Sequence, residues 1–367
     1  MVVLHLIARF NIGGTAKYLL EIANNLPKYG VNTVIATGHV QGSEIEDQAI
    51  LSVPHIRVKN LGRRVNPIRD FLAIREFRQI VRDLKPNVIH THTFKAGFIA
   101  RIQRNNLEEK LGYKVKFIHT FHGHLFEDPE FGKIKKIVIS KVEKFLSKKT
   151  DTVVTVGDNI KKELNNKGIW GKTKTISIPP AVKSLKLISK TAAYKKFKIT
   201  NQKTLRILWL ARVTRVKNPY KVIEIANYLP NIDFFMAGGG DQQEYIAKNV
   251  PKNVKILGWQ KASEVMPLAD IFLSTSENEG MPIAIIESQL AGIPAVVTDV
   301  GSVSEVVKNM KTGIVCKKEI QSLINAILKL SKSKKMRDLY GKRAKANAKR
   351  EFSLDKFILA HKKLYLQ

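Results

Sequence analysis

The stretch from Asp270 to Val307 constrains this 367-residue chain more than any other. An apolar run at Ile271–Leu273 breaks into the polar loop Ser274–Gly280. Met281–Pro282 then opens a helix, since proline is tolerated where a first-turn N–H has no partner. Gly292 and Pro294 end that helix, and Ala295–Thr298 reads as the next buried parallel strand. The loop therefore lies at the carboxyl end of one strand and the amino end of one helix. In α/β sheets ligands bind at such a place, and free helix N–H groups suit an anion.

A pair of glutamates frames the helix start. Glu279 lies in the loop, and Glu287 follows roughly two turns later. Glu287 shares a helix face with Ile283 and Ala284, and helical side chains lean toward the N-terminus, so its carboxylate can point back at the loop. A carboxylate can accept both hydrogens of a vicinal diol. The plain alternative is a solvated acid near a positive helix end. Against it stand the apolar neighbours Ile285, Ile286 and Ala291, among which an unpaired acid is rarely buried.

Ser276-Glu-Asn-Glu279-Gly280-Met281-Pro282, then Glu287 with Ala291-Gly292-Ile293-Pro294, then Thr298-Asp299-Val300-Gly301, closely resemble a known signature. It is the donor site of the retaining glycosyltransferases of family 4. The frequent alanine after the second glutamate is Ser288 here. The resemblance implies a GT-B fold, two Rossmann-like parallel-sheet α/β domains facing across a cleft. It further implies transfer of a sugar from a nucleotide-sugar, a UDP-sugar, to an acceptor hydroxyl with retention, without metal or other cofactor. Glu279 would hold donor-sugar hydroxyls and Glu287 the ribose, with Gly280, Met281, Pro282 and Ile283 lining the donor loop.

Other motifs extend the likeness. Leu205–Ala211 is a strand pattern followed by Arg212 and, five positions on, by Lys217 before Asn218-Pro219. Fixed cations after a strand suit a diphosphate, Arg as a fork and Lys as a compact charge. A surface pair in a basic protein is the alternative, and the L-A-R-x4-K-N-P context resembles the family's phosphate clamp. Gly238-Gly239-Gly240 is a close-approach turn after Ile232–Ala237. Gly258-Trp259 follows Val254–Leu257, where the family binds the base largely through its backbone; Trp259 can stack on that base, although an aromatic after a strand more often serves packing. Near the start, Gly13 and Gly14 follow the strand Val2–Ala8 and precede a helix through Leu26, either a turn that lets a backbone approach a ligand or a plain strand–helix connection. The resemblance implies that this loop lines the cleft near the donor phosphates and acceptor. The dinucleotide pattern GxGxxG is absent.

His90, His92, His119, His122 and His124 fall at the ends of adjacent predicted strands, Val88–His90 and Val115–His119. Acidic or cysteine co-ligands at metal-site spacing are missing, so the expectation is hydrogen bonding to substrate hydroxyls, not a metal. His122 before Gly123 matches the family's cleft histidine, and together with Glu279, Arg212 and Lys217 it is the catalytic expectation.

Composition sets outer bounds. Hydrophobic residues at 44% suit two domains with cores. The single cysteine, Cys316, excludes an internal disulfide framework and fits a reducing cytoplasm. MVVLHLIARF reads as a first strand and not a leader, and no run approaches the ~18 apolar residues of a membrane span. The formal charge of +32, from 63 Lys plus Arg against 31 Asp plus Glu, implies a polyanionic contact. Compositional bias is the alternative, but bias would raise Glu along with Lys. A basic nucleic-acid-binding protein is a rival, weakened by widely spread charge and little aromatic interleaving, so no nucleic acid is expected. A GT-B phosphorylase is another, lacking a lysine-anchored cofactor signature.

The segment 132–149, GKIKKIVISKVEKFLSKK, favours an anionic membrane only in combination with the +32 charge and the resemblance to a family in which many members glycosylate lipid-linked acceptors. It reads as a helix with Ile134, Ile137, Val138, Val142, Phe145 and Leu146 on one face and lysines elsewhere. Either that face lies on a bilayer or it packs on the first sheet. The expected partners are thus a nucleotide-sugar, a lipid-linked or glycan acceptor of cell-envelope type, and the cytoplasmic membrane's inner face. The expected domains are 1–182 and 204–351, joined by a Lys-rich linker, 183–203, with the last helix, 352–367, crossing back onto the first.

Overall fold

Short β-branched runs alternate with amphipathic helices along the whole chain, a rhythm that forces parallel strands with helical crossovers. The computed structural model describes all residues except 43, 124–125, 127–130, 201–203 and 249. It divides into one unit of Met1–Glu127, Phe131–Ala181 and Leu354–Gln367, and another built on Val182–Ser353.

The first unit holds a seven-stranded sheet: β1 (Val2–Ile7), β2 (Asn32–Thr37), β3 (His55–Arg57), β4 (Val88–His92), β5 (Lys116–Phe121), β6 (Thr152–Thr155) and β7 (Lys174–Ser177). The order is β3-β2-β1-β4-β5-β6-β7, and every pairing is parallel. Its helices are α1 (Gly14–Asn25), α2 (Pro67–Leu84), α3 (Phe94–Ile102), α4 (Arg104–Leu111), α5 (Lys133–Ser147), α6 (Asp158–Asn166) and α15 (Leu354–Leu366). Helix α2 has the bounds its local signals dictate: the Asn66 side chain accepts from Arg69 N at 3.0 Å, and Pro67 is first in the helix. One face of the sheet meets an apolar layer that includes Leu4, Leu6, Ile89, Phe77 and Phe117.

The second unit holds six parallel strands: β8 (Arg206–Leu210), β9 (Asp233–Ala237), β10 (Val254–Gly258), β11 (Ile271–Ser274), β12 (Ala295–Thr298) and β13 (Gly313–Cys316). Their order is β10-β9-β8-β11-β12-β13. Helices α7 (Lys190–Lys196), α8 (Pro219–Tyr228), α9 (Gln243–Lys248), α10 (Ala262–Val265), α11 (Ile283–Leu290), α12 (Val303–Val306), α13 (Ile320–Ser331) and α14 (Lys334–Glu351) surround them. Trp209, Phe234, Ile271, Leu273, Val296 and Leu323 lie in this core. In both sheets the strand order reverses beside the first strand, between β1 and β4 and between β8 and β11. Such switch points leave a crevice at the carboxyl ends of the strands.

The fold departs from the sequence reading in places. The expected linker 183–203 contains α7, capped by Ser189 at 3.1 Å from Ala192 N, and its Tyr194 phenol bonds the Arg206 guanidinium. Strand β3 is too short to register as a periodic run. Helix α5 is turned outward: it buries Ile139, Glu143 and Leu146, while Ile134, Ile137, Val138 and Phe145 are 80%, 55%, 53% and 52% exposed. Among the described residues no helix is long and apolar enough to cross a membrane.

Candidate active site

The second unit's switch point gathers most of the expected residues. Arg212 and Lys217 follow β8, and Glu279 follows β11. Lys217 Nζ reaches Glu279 Oε1 at 2.5 Å, and Ser276 Oγ donates to the same oxygen at 2.7 Å. Glu279 is 8% exposed, yet its Oε2 has no hydrogen bond among the described residues. The half-buried Arg212 side chain likewise has no partner among them.

Local chemistry explains the K-N-P turn. Asn218 takes a left-handed φ of 47°, which asparagine tolerates, and its side chain caps α8 at Lys221 N. Its Nδ2 also donates to Glu277 Oε1 at 2.8 Å, which Lys221 Nζ reaches at 2.6 Å. Burial pushes Glu277 up, but the Lys221 and Asn218 bonds outweigh it and hold the carboxyl below its usual range. Thr275 Oγ1 donates to the carbonyls of Lys217 and Asn218, at 3.0 and 2.9 Å. The cation turn and the glutamate loop are thus bolted together before any ligand arrives.

The second half of the signature braces the loop from below. Gly301 sits at φ +56°, and a Cβ there would lie 2.0 Å from Glu279 O. Thr298 Oγ1 donates to Ser276 O at 2.6 Å, and Ser302 N to Gly280 O at 3.0 Å. Helix α11 begins at Ile283, so Pro282 occupies the capping position instead of the first turn expected from sequence, and no side chain caps it. Its first N–H groups are therefore open. Met281 and Ile283 have buried side chains, which leaves only their backbone for a ligand. Glu287 is 4% exposed on this helix.

Gly238 and Gly258 join the same rim. Gly238 N donates to Gly258 O at 2.7 Å, and a Cβ on Gly238 would meet Ala211 O at 1.8 Å. Trp259 lies against Gly239 and is 41% exposed.

Gly13, Gly14 and His122 belong to the first unit. Gly13 is the N-cap of α1 with an extended φ of 165°, and neither glycine adopts a positive-φ turn. Their backbone freedom is not what the structure uses; the missing side chains leave the α1 terminus uncapped and open.

The histidines form an interior network, where the sequence placed hydroxyl ligands at an edge. His124 lies outside the described residues. His90 and His92 are fully buried and His119 nearly so, and His5 and His361 join them. His5 and His90 are register partners on β1 and β4. Tyr365 OH lies 2.6 Å from His90 Nδ1, and Thr120 Oγ1 lies 2.6 Å from His90 Nε2. His361 donates from Nδ1 to Phe357 O at 2.9 Å, so its Nε2 is the acceptor for Tyr18 OH at 2.9 Å. Burial, with a smaller push from His361, drives His5 and His122 down to about 3; burial drives His361 to about 4 against its Phe357 bond. Sequence reasoning missed His5, whose only signal was a histidine inside an otherwise apolar strand, and His361, which lies in an amphipathic helix beside Lys362 and Lys363.

His5, His90 and His92 each bring a ring nitrogen within 4.8 Å of the others, a possible ligand set. Their rings overlap in layers: His90–His92 at 4.3 Å and 33°, His5–His92 at 5.3 Å and 26°. Metal ligation needs in-plane lone pairs converging on one point, and both His90 nitrogens are already bonded. The arrangement fits a hydrogen-bonded network better than a metal centre.

Comparison with known proteins agrees with this picture. Residues 191–347 match the family "Glycosyl transferases group 1", and residues 12–183 match "Glycosyltransferase Family 4". The UDP-Gal:alpha-D-GlcNAc-diphosphoundecaprenol alpha-1,3-galactosyltransferase of Escherichia coli is 26% identical over 333 residues, 86% of this chain and 84% of that one. The sucrose-phosphate synthase of Thermosynechococcus elongatus superposes with a TM-score of 0.84 at 16% identity, covering 100% of this chain and 98% of that one. Anabaena HepE, solved with UDP and glucose, gives 0.81 at 17% identity and 99% coverage of each chain. With both halves matched and the paired parallel sheets of the GT-B architecture in place, the chain belongs to the group 1, family 4 glycosyltransferases.

Proposed function

We propose that this glycosyltransferase moves a sugar from a UDP-sugar to a lipid-linked acceptor with retention at the anomeric carbon, working on the inner face of the cytoplasmic membrane. The observation that carries the donor reading is the Lys217–Glu279 contact at the β8/β11 switch point, with Glu279 Oε2 left unbonded among the described residues. One carboxylate oxygen is locked by Lys217 and Ser276, so the other is held in place to accept sugar hydroxyls. Arg212, Lys217 and the open α11 N–H groups supply fixed positive charge where a diphosphate gains negative charge as the glycosidic bond breaks. Those cations do the work a metal would otherwise do. Glu287 takes the ribose diol. The leaving diphosphate accepts the acceptor proton on the same face.

Helix α5 supports the membrane side of the reading. Ile134, Ile137, Val138 and Phe145 of its apolar stripe are exposed and flanked by Lys133, Lys135, Lys141, Lys144 and Lys148, also exposed. Its inward face is pinned by Glu143 to Arg101 at 2.8 Å, with both side chains fully buried. Val65, Ile68 and Phe71, at the start of α2, add more exposed apolar surface beside several arginines. Lipid-linked acceptors are the substrate class named for the Escherichia coli relative.

The test is turnover of UDP-sugars with polyprenyl-diphosphate-linked sugar acceptors, with the product's anomeric configuration read by NMR. Saturable UDP binding, transfer in the presence of chelator, and an axial-for-axial product are expected. An inverted product, or activity restored only by a divalent ion, would overturn the corresponding part.

A further inference from the structure

One branch of the interior network runs outward to His122, and its polarity follows from hydrogen-bond counting. His5 Nδ1 lies 3.0 Å from His92 Nε2, and His92 Nδ1 lies 2.9 Å from His122 Nε2. His5 and His92 are fully buried, and His122 is half-buried. Burial drives all three well below the ordinary histidine range, so at neutral pH each ring carries one N–H and one bare nitrogen.

In such a row the tautomers are coupled. Either every ring is protonated on Nε2, or every ring is protonated on Nδ1. The first arrangement ends on a His5 Nε2–H, and that atom is buried with no partner. The second ends on a bare His5 Nε2 instead. Buried donors without an acceptor are rarer in folded proteins than acceptors without a donor. The second arrangement is favoured, with donation running His5 to His92 to His122. His122 then holds its proton on Nδ1, the nitrogen with no partner among the described residues.

We infer that His92, backed by His5, is a positioning residue that locks His122 as an Nδ1–H hydrogen-bond donor toward a substrate oxygen. A general base at this position would need a bare nitrogen facing outward, and the relay presents an N–H. This rests on the reading of His122 as a substrate-facing residue. It goes beyond that reading by assigning the direction of its hydrogen bond and the residues that impose it.

Two measurements test it on the full chain. Long-range 1H–15N correlation spectra of [15N]histidine-labelled protein report the tautomer of each ring, with signals assigned through single His→Gln variants. Nδ1–H forms of His92 and His122 are expected; an Nε2–H form at His122 overturns the inference. Kinetics test the role. His92→Asn places an amide near the position of Nδ1 and still donates to His122, so kcat should stay within about threefold. His92→Phe keeps a ring without a donor, and kcat should fall about tenfold or more at unchanged KM and unchanged UDP affinity. Equal rates in His92→Phe and wild type, or equal losses in both variants, overturn it. If His92→Phe does not fold, the spectra decide. UDP titration keeps the outcomes apart: absent UDP binding sinks the donor reading, while the tautomers remain readable.

Discussion

At the scale of single residues, what separates Lys217 from Arg212 is whether the side chain already has a partner. Lys217 is paired with a nearly buried carboxylate, so Lys217→Ala leaves Glu279 uncompensated. We expect it to lower both turnover, tenfold or more, and stability, by about 1–3 kcal/mol. Arg212 has no partner among the described residues, so Arg212→Ala should lower turnover while leaving the melting temperature near wild type. Thermal melts beside steady-state rates check the contrast; turnover within about threefold for Arg212→Ala returns it to the surface-charge reading. On the proposed ribose role, Glu287→Ala would remove charge-assisted bonds of about 1.5–3 kcal/mol to a diol, so UDP affinity should drop by roughly tenfold to a hundredfold. Unchanged affinity in a UDP titration would refute the ribose assignment.

At the scale of elements, the proposed function rests on the placement of two segments. The turn after β12 supports the loop after β11, because Gly301 lets the chain pass against the Glu279 carbonyl. Gly301→Ala adds a Cβ into that carbonyl at a left-handed φ, a strain of about 1–3 kcal/mol. Its melting temperature should fall and turnover should drop with it; a variant with wild-type values for both would show that the loop does not depend on this turn. Helix α5 is the other segment. With Lys133, Lys136, Lys141 and Lys144 replaced by Gln, binding to anionic vesicles should weaken, since each cation near such a surface contributes about 1 kcal/mol. UDP affinity should not change. Wild type should bind neutral vesicles poorly and be released by high salt, because the attraction decays over ~8 Å at physiological ionic strength. Equal partition onto neutral and anionic vesicles would leave the exposed stripe without its electrostatic partner.

At the scale of the whole molecule, the histidine interior makes stability depend on pH. Unfolded histidines titrate near 6.5, whereas folding pushes His5 and His122 to about 3 and His361 to about 4. Above pH 6.5 both states are neutral and the full stability is present. Below it the unfolded chain binds protons that the folded chain refuses, so stability is lost as pH falls toward 4 and then 3. Each such histidine contributes a loss of about 1.4 kcal/mol per pH unit in that window. The melting temperature at pH 5 should therefore lie well below that at pH 7. The loss should persist at high salt, which screens the self-repulsion of a chain of charge +32 but not buried imidazoles. A melting temperature unchanged between pH 7 and pH 5 would contradict a neutral interior.

What the amino-acid sequence determined by itself was everything set by neighbours a few residues apart. The bounds of α2 follow from Asn66, Pro67 and Pro86, and the strand–loop–helix around Glu279 follows from an apolar run, a polar loop, a proline and a glycine. The meeting of Lys217 with Glu279, 62 positions away, needed the strand order that puts β8 beside β11. The histidine network needed the same information, since His5 meets His92 across 87 positions and Tyr18 meets His361 across 343. Helix α5 shows the limit most plainly. Its period tells which side chains share a face, but the burial of Ile139, Leu146 and the Arg101–Glu143 pair inside the fold decides that Ile134, Ile137, Val138 and Phe145 turn outward while Leu146 of the same expected face does not. Periodicity is a property of one element, and burial is a property of what covers it.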